Sequence, residues 1–145
     1  MRSVLLVVFL AFSGTALADQ YSGTVGKVVD ADTIFVCDKS ACTKIRLCGI
    51  DSPEKGAPRK KGKQALRKLL EGHTVKCIQV GENTPCDGRS NPAIWDANVA
   101  QCFVNGADIA QAMVDGGFAC DWGKYSDGYY SKDDPSKACS PDHRQ

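Results

Sequence analysis

Histidine is nearly missing from this chain: two occur in 145 residues, His73 and His143. Hydrolysis through a serine or cysteine nucleophile needs a base within hydrogen-bond reach of it. His73 follows a glycine at the end of a helical pattern and His143 sits in the tail, so neither is placed for a triad. The same scarcity, together with the lack of any C-x-x-C pair, argues against a zinc centre. Repeats and low-complexity linkers are missing too. The longest apolar run, Val4 to Phe12, is short of the roughly 20 residues that span a bilayer.

That run belongs instead to a signal-peptide layout. Arg2 supplies the positive end, the apolar stretch follows, and Ala16-Leu17-Ala18 offers a small-residue cleavage site. Residues 1–18 are therefore expected to be removed, giving a secreted or periplasmic protein with no membrane attachment; an uncleaved anchor is the alternative. Cleavage leaves 145 − 18 = 127 residues, the size of one domain. A chain of that size can bury roughly two thirds of its unfolded surface. It also removes one cation and no acid, so 17 basic residues face 17 acidic ones. Net charge gives no support for an anionic partner, but the distribution is uneven. Lys55, Arg59, Lys60, Lys61, Lys63, Arg67 and Lys68 crowd together, while the tail carries Asp127, Asp133, Asp134 and Asp142.

Eight cysteines in an exported chain read as disulfides. Their connectivity is open, since eight cysteines allow 105 pairings. Cys37 and Cys42 flank the polar Lys39-Ser40 turn and could clip it closed.

The strand signals come early. YSGTVGKVVD alternates weakly; TIFVCD and TKIRLCGI are β-branched and apolar and read as a hairpin. KGKQALRKLLEG places Ala65, Leu66, Leu69 and Leu70 on one helical face with cations on the other. HTVKCIQV is a fourth strand and NVAQCFVNG a fifth, separated by a Pro- and Gly-bearing loop over residues 81–96. ADIAQAMVDGG is a short helix with Ile109, Ala112 and Met113 inward. Five short strands with a helix after the third predict a mainly β fold with α: a five-stranded OB-type barrel with two or three helices packed outside. The expected organisation is one domain over residues 19–130 and an irregular tail over 131–145.

Three acids stand where chemistry could occur. Asp32 opens one hairpin strand, and Asp51 and Glu54 follow the end of its partner. Pairing around Lys39-Ser40 brings Asp32 toward the Gly49–Asp51 end, where two carboxylates need a cation between them. Carboxylates, carbonyls and waters suit Ca²⁺. Arg46, on the same strand, can grip a phosphate bidentately, and Pro53 restricts the backbone that aims Glu54. These parts suffice for phosphodiester hydrolysis. Asp-x-Asp-Thr is equally a strand-start cap, and Asp-Ser-Pro-Glu an ordinary turn.

VVDADT followed by IRLCGIDSPE resembles the thermonuclease family, the staphylococcal-nuclease-like OB-fold domain. The likeness continues through the basic helix, the VKC strand, VAQCFVNGADIAQAMVDGGFA and DWGKYS, over nearly all of residues 21–130. It implies Ca²⁺-dependent cleavage of DNA and RNA by a monomer. It makes Asp32 and Asp51 the metal carboxylates, with the Ser52 carbonyl beside them, Arg46 a phosphate-binding residue and Glu54 the residue that activates water. Asp30 becomes an outer supporting acid, and Thr33 orients the site. The family register also pairs Cys77 with Cys102 across two strands. One departure stands out. Trp95-Asp96-Ala97 occupies the place of an aromatic-x-Arg triplet, so a second catalytic arginine is missing. Arg89, earlier in the loop beside the Gly88 hinge, is the expected substitute. A binding domain that no longer cleaves is the rival reading; a disulfide-rich structural or inhibitory module is a third. Trp95 and Tyr125 are candidates for stacking on a base, while Trp122 reads as packing. The basic cluster would attract the nucleic-acid backbone.

Overall fold

The β-branched and alternating stretches form strands in the computed structural model of the chain, which describes residues 20–81, 83–87, 89 and 96–143. The expected signal peptide lies outside the described residues. Strand β1 (Gln20–Asp30) pairs antiparallel with β2 (Thr33–Cys37), and β2 with β3 (Cys42–Leu47). On its other edge β1 pairs with β5 (Thr74–Gln79), and β5 with β6 (Asn98–Val104), both antiparallel. A parallel pairing of β6 with β3 closes the ring, so five strands form the expected OB-type barrel. Three short strands complete the described set. β7 (Ala107–Asp108) hangs on β6, and β4 (Ile50–Asp51) pairs with β8 (Cys120–Asp121). Helices α1 (Gly56–Leu70), α2 (Ile109–Asp115) and α3 (Gly123–Ser126) and a 3₁₀ turn at Pro135–Lys137 account for the described helical residues.

Local chemistry explains the connections. In the β2–β3 turn, Asp38 Oδ1 accepts from the Ser40 N–H at 2.7 Å and the Ala41 N–H at 2.9 Å. These bonds hold the Asp38 carboxyl below its usual pKa. The Cys37–Cys42 disulfide closes the same turn, as expected. Asn105-Gly106, both at positive φ, turn the chain from β6 to β7 as a two-residue hairpin does. Cys77 and Cys102 are register partners and are bonded, as the resemblance implies; of the eight cysteines expected to pair, Cys48 and Cys86 are buried and take no part in a disulfide.

The barrel interior holds Ile34, Ile45, Leu47, Val75, Ala100 and Cys102, none more than 1% exposed. Helix α1 lays Leu66 and Leu70 on this core, with Ala65 and Leu69 partly buried. It begins at Gly56, before the apolar spacing becomes readable, because Pro58 is tolerated in a first helical turn. In α2 the buried face is Ile109, Ala110, Met113 and Val114; Ala112, expected inward, is only half-buried. The i, i+4 pairs set that face.

Gly62 sets how closely α1 approaches the barrel. A Cβ there would stand 2.8 Å from the Ala31 Cβ, inside the Asp30–Asp32 turn. The missing side chain lets α1 seat against the turn that carries two of the candidate acids. Gly62→Val is expected to lower stability by about 1–3 kcal/mol through overpacking. Urea denaturation checks this, and an unchanged midpoint would contradict it.

Candidate active site

The site is assembled where three connections meet. The β1–β2 pairing slips register between Val28 and Asp30, and such a bulge bends the strand and re-aims its side chains. Asp32 follows, with its carbonyl accepting from the Leu47 N–H at 2.8 Å, and Thr33 opposite Arg46. Past β3 the chain turns at Gly49, whose φ is +75°. A Cβ at Gly49 would approach the Ser126 Cβ to 2.8 Å and the Cys86 Sγ to 3.1 Å, so both conformation and space call for glycine. The turn delivers Asp51 into β4. There β8 fixes it, with Asp51 the register partner of Cys120 and the Trp122 N–H donating to the Gly49 carbonyl at 2.8 Å.

Asp32 and Asp51 thereby converge, at 3% and 2% exposure. Arg46 lies between them. Its Nη1 is 3.0 Å from Asp32 Oδ1, and its Nη2 is 3.0 Å from Asp51 Oδ1 and 3.3 Å from the Ile50 carbonyl. The remaining lone pairs are also engaged. The Ser52 N–H and hydroxyl donate to Asp32 Oδ2 at 2.9 and 2.7 Å, and Thr33 Oγ1 donates to Asp32 Oδ1 at 2.8 Å. His143 Nε2 lies 2.6 Å from Asp51 Oδ2. A buried carboxylate needs such partners to remain charged. Formally the core of the site holds two carboxylates against one guanidinium, so it retains a negative charge. An all-oxygen set of Asp32, Asp51 and the Ser52 carbonyl with that charge is the chemistry of a hard divalent cation.

Just outside, Asp30 accepts from Arg59 Nε at 2.6 Å, which fastens the start of α1 to the turn. Arg59 is held above its ordinary pKa, chiefly by that hydrogen bond, with the Glu54 charge contributing. Glu54 is exposed to solvent beyond Pro53. Arg46, Asp32, Asp51, Ser52 and Thr33 thus meet at one point of the barrel rim, while Asp30 and Glu54 are linked to one another through Arg59. Arg89 is elsewhere engaged, its Nη2 3.0 Å from Asp127 Oδ2. Tyr125 is half-buried and meets the ring of Trp122 edge-on at 4.8 Å; Trp122 itself is buried. Trp95 and Gly88 lie outside the described residues. Ala97 is half-buried immediately before β6.

Three residues at the site or beside it on β3 escaped sequence reasoning. Arg59 is one cation among many in a basic run, with nothing to mark it. Lys44 shares the face of β3 with Arg46, two residues away, and reaches toward Asp96 at 3.9 Å. His143 is a lone histidine in an aperiodic tail, and no sequence signal could have placed it on Asp51.

No family model matches the chain. Two curated proteins, one from Escherichia coli O157:H7 and one from Escherichia coli, are each named "Uncharacterized endonuclease" and are each 36% identical to it over 76 residues. The match covers 52% of this chain and 50% of each relative, so the chain spans about half the length of the curated relatives it matches.

Removing Arg46 would leave two buried carboxylates facing each other. Arg46→Met, measured by urea denaturation in chelator, is expected to cost about 3–5 kcal/mol. A loss below about 1 kcal/mol, the scale of a surface pair, would mean that the carboxylates do not depend on it.

Proposed function

We propose that the chain is a phosphodiester hydrolase of the thermonuclease, staphylococcal-nuclease-like type, exported, monomeric, and acting on DNA and RNA with Ca²⁺. The observation that carries this reading is the buried Asp32–Arg46–Asp51 bridge at the rim of a closed barrel, with the exposed Glu54 three residues beyond Asp51. The partial likeness to proteins named as endonucleases supports the same reaction class.

Asp32, Asp51 and the Ser52 carbonyl would hold the ion. When bound, Ca²⁺ supplies positive charge against a phosphate oxygen. Thr33 and the Ser52 N–H and hydroxyl keep Asp32 in place. With the carboxylates balanced by the ion, Arg46 would be released to turn its guanidinium to the phosphate, where a fork of donors suits the charge that grows as water attacks. Glu54 orients the water and takes its proton. Its exposure gives water access, and Pro53 limits its wandering. Asp30, held by Arg59, keeps the Asp30–Asp32 turn seated on α1.

Ala97 is the observation that favours the rival, a non-catalytic nucleic-acid-binding domain. Loss of an arginine that stabilises phosphoryl charge can cost roughly 10³–10⁵ in rate. In the catalytic reading Arg89 leaves Asp127 to supply that charge, while Lys44 already stands on the face of Arg46. Trp95 and Tyr125 are proposed to meet the bases.

Incubation of the purified chain with single-stranded DNA and with RNA, in Ca²⁺ and then in chelator, tests the proposal. Cleavage in Ca²⁺ that stops in chelator and falls at least about 100-fold in Glu54→Gln is expected. Tight binding without cleavage would establish the rival. Arg89→Ala is expected to slow cleavage about tenfold or more. Rates equal to wild type would exclude Arg89, and slowing by Lys44→Ala instead would assign the charge to Lys44.

A further inference from the structure

Beyond β8 the chain returns to the site by an unexpected route. It passes through α3 and the 3₁₀ turn, then runs back beside β8, where Ala138 bridges Asp121 in parallel. The Cys139 N–H donates to the Asp121 carbonyl at 2.8 Å, and a disulfide joins Cys139 to Cys120. Cys120 is itself the register partner of Asp51. The cross-link therefore anchors the returning segment directly beside a candidate metal carboxylate.

Four residues later His143 lies over Asp51. Its N–H donates to the Ser140 carbonyl at 2.9 Å, which turns the segment inward. Its ring packs edge-on against the buried Trp122, with centroids 5.4 Å apart, and its Nε2 is 2.6 Å from Asp51 Oδ2. The two oxygens of Asp51 are thus divided: Oδ1 faces Arg46, and Oδ2 is held by the imidazole. Cys120, Cys139 and His143 lie close enough together to suggest a metal cluster of their own, but the disulfide uses both sulfurs.

We propose that residues 139–143 form a strap that completes the active site, with His143 a positioning residue that holds Asp51 in the orientation that receives the cation. The inference rests on the Ca²⁺-dependent reading of the site. Its physical basis is the freedom of a carboxylate to rotate. With a donor fixed on Oδ2, Oδ1 stays turned toward Arg46 and the Asp32 carboxylate beyond it, the side on which the ion would be held. Outer hydrogen bonds of this kind, from a partner to a ligating group, typically change metal affinity by about 10–100-fold. The disulfide adds a short covalent tether, which lowers the entropy lost when His143 docks.

Calorimetric titration of Ca²⁺ into the full chain, His143→Ala, His143→Gln and the double variant Cys120→Ser/Cys139→Ser tests the strap. His143→Ala is expected to bind Ca²⁺ about tenfold more weakly. His143→Gln, whose amide donates at a similar reach, should stay within about threefold of wild type. The double serine variant should lose affinity as well, and adding His143→Ala to it should cost little more, because the two act through one contact. Wild-type affinity in His143→Ala, or equal losses in the Ala and Gln variants, would overturn the proposal. Those results leave Ca²⁺ binding by the wild type intact and sink the strap alone. A wild type that takes up no Ca²⁺, indistinguishable from Asp51→Asn, would sink the metal reading with it.

Discussion

One guanidinium between two buried carboxylates is the constraint around which this rim is built. Asp32 and Asp51 come from different connections, 19 positions apart, and neither would tolerate burial beside the other without Arg46. Every nearby structural choice serves that convergence. The β1–β2 bulge and the bare Gly62 seat one carboxylate. The left-handed Gly49 and the β4–β8 pairing seat the other. A site so arranged sets two carboxylates against a single guanidinium, and it is this arrangement on which the proposed cation binding rests.

Much of this was legible in the sequence because it is local. Asp-x-Asp-Thr at a strand start and Asp-Ser-Pro-Glu past a strand end are short-range patterns, and a hairpin around Lys39-Ser40, which sets Thr33 opposite Arg46, brings the two stretches near each other. The apolar spacing of Leu66 and Leu70 likewise fixed a helix on the core. What could not be read depends on contacts between distant segments. Ala110 and Val114 displace Ala112 from the inward face of α2 because that helix packs against β6 and α1, which its own spacing does not encode. Arg59 and His143 carry no signature, since their roles exist only once Asp30 and Asp51 lie beside them.

The three disulfides divide their work in the same spirit. Cys37–Cys42 closes the hairpin that sets the register of Thr33 against Arg46. Cys77–Cys102 ties neighbouring barrel strands. Cys120–Cys139 fastens the returning tail to the strand that pairs with Asp51. Disulfides typically contribute about 2–4 kcal/mol each, less for short loops such as the hairpin. Here their placement matters more than their sum, because one of them, Cys120–Cys139, borders the site.

The central claim is that Arg46 stands in for a cation. A crystal structure of the chain saturated with Ca²⁺, with the ion located by its anomalous scattering, addresses it directly. The account predicts calcium between the Asp32 and Asp51 carboxylates, with the Arg46 guanidinium turned out of the gap. Arg46 still bridging both carboxylates, with no ion between them at saturating Ca²⁺, would contradict it.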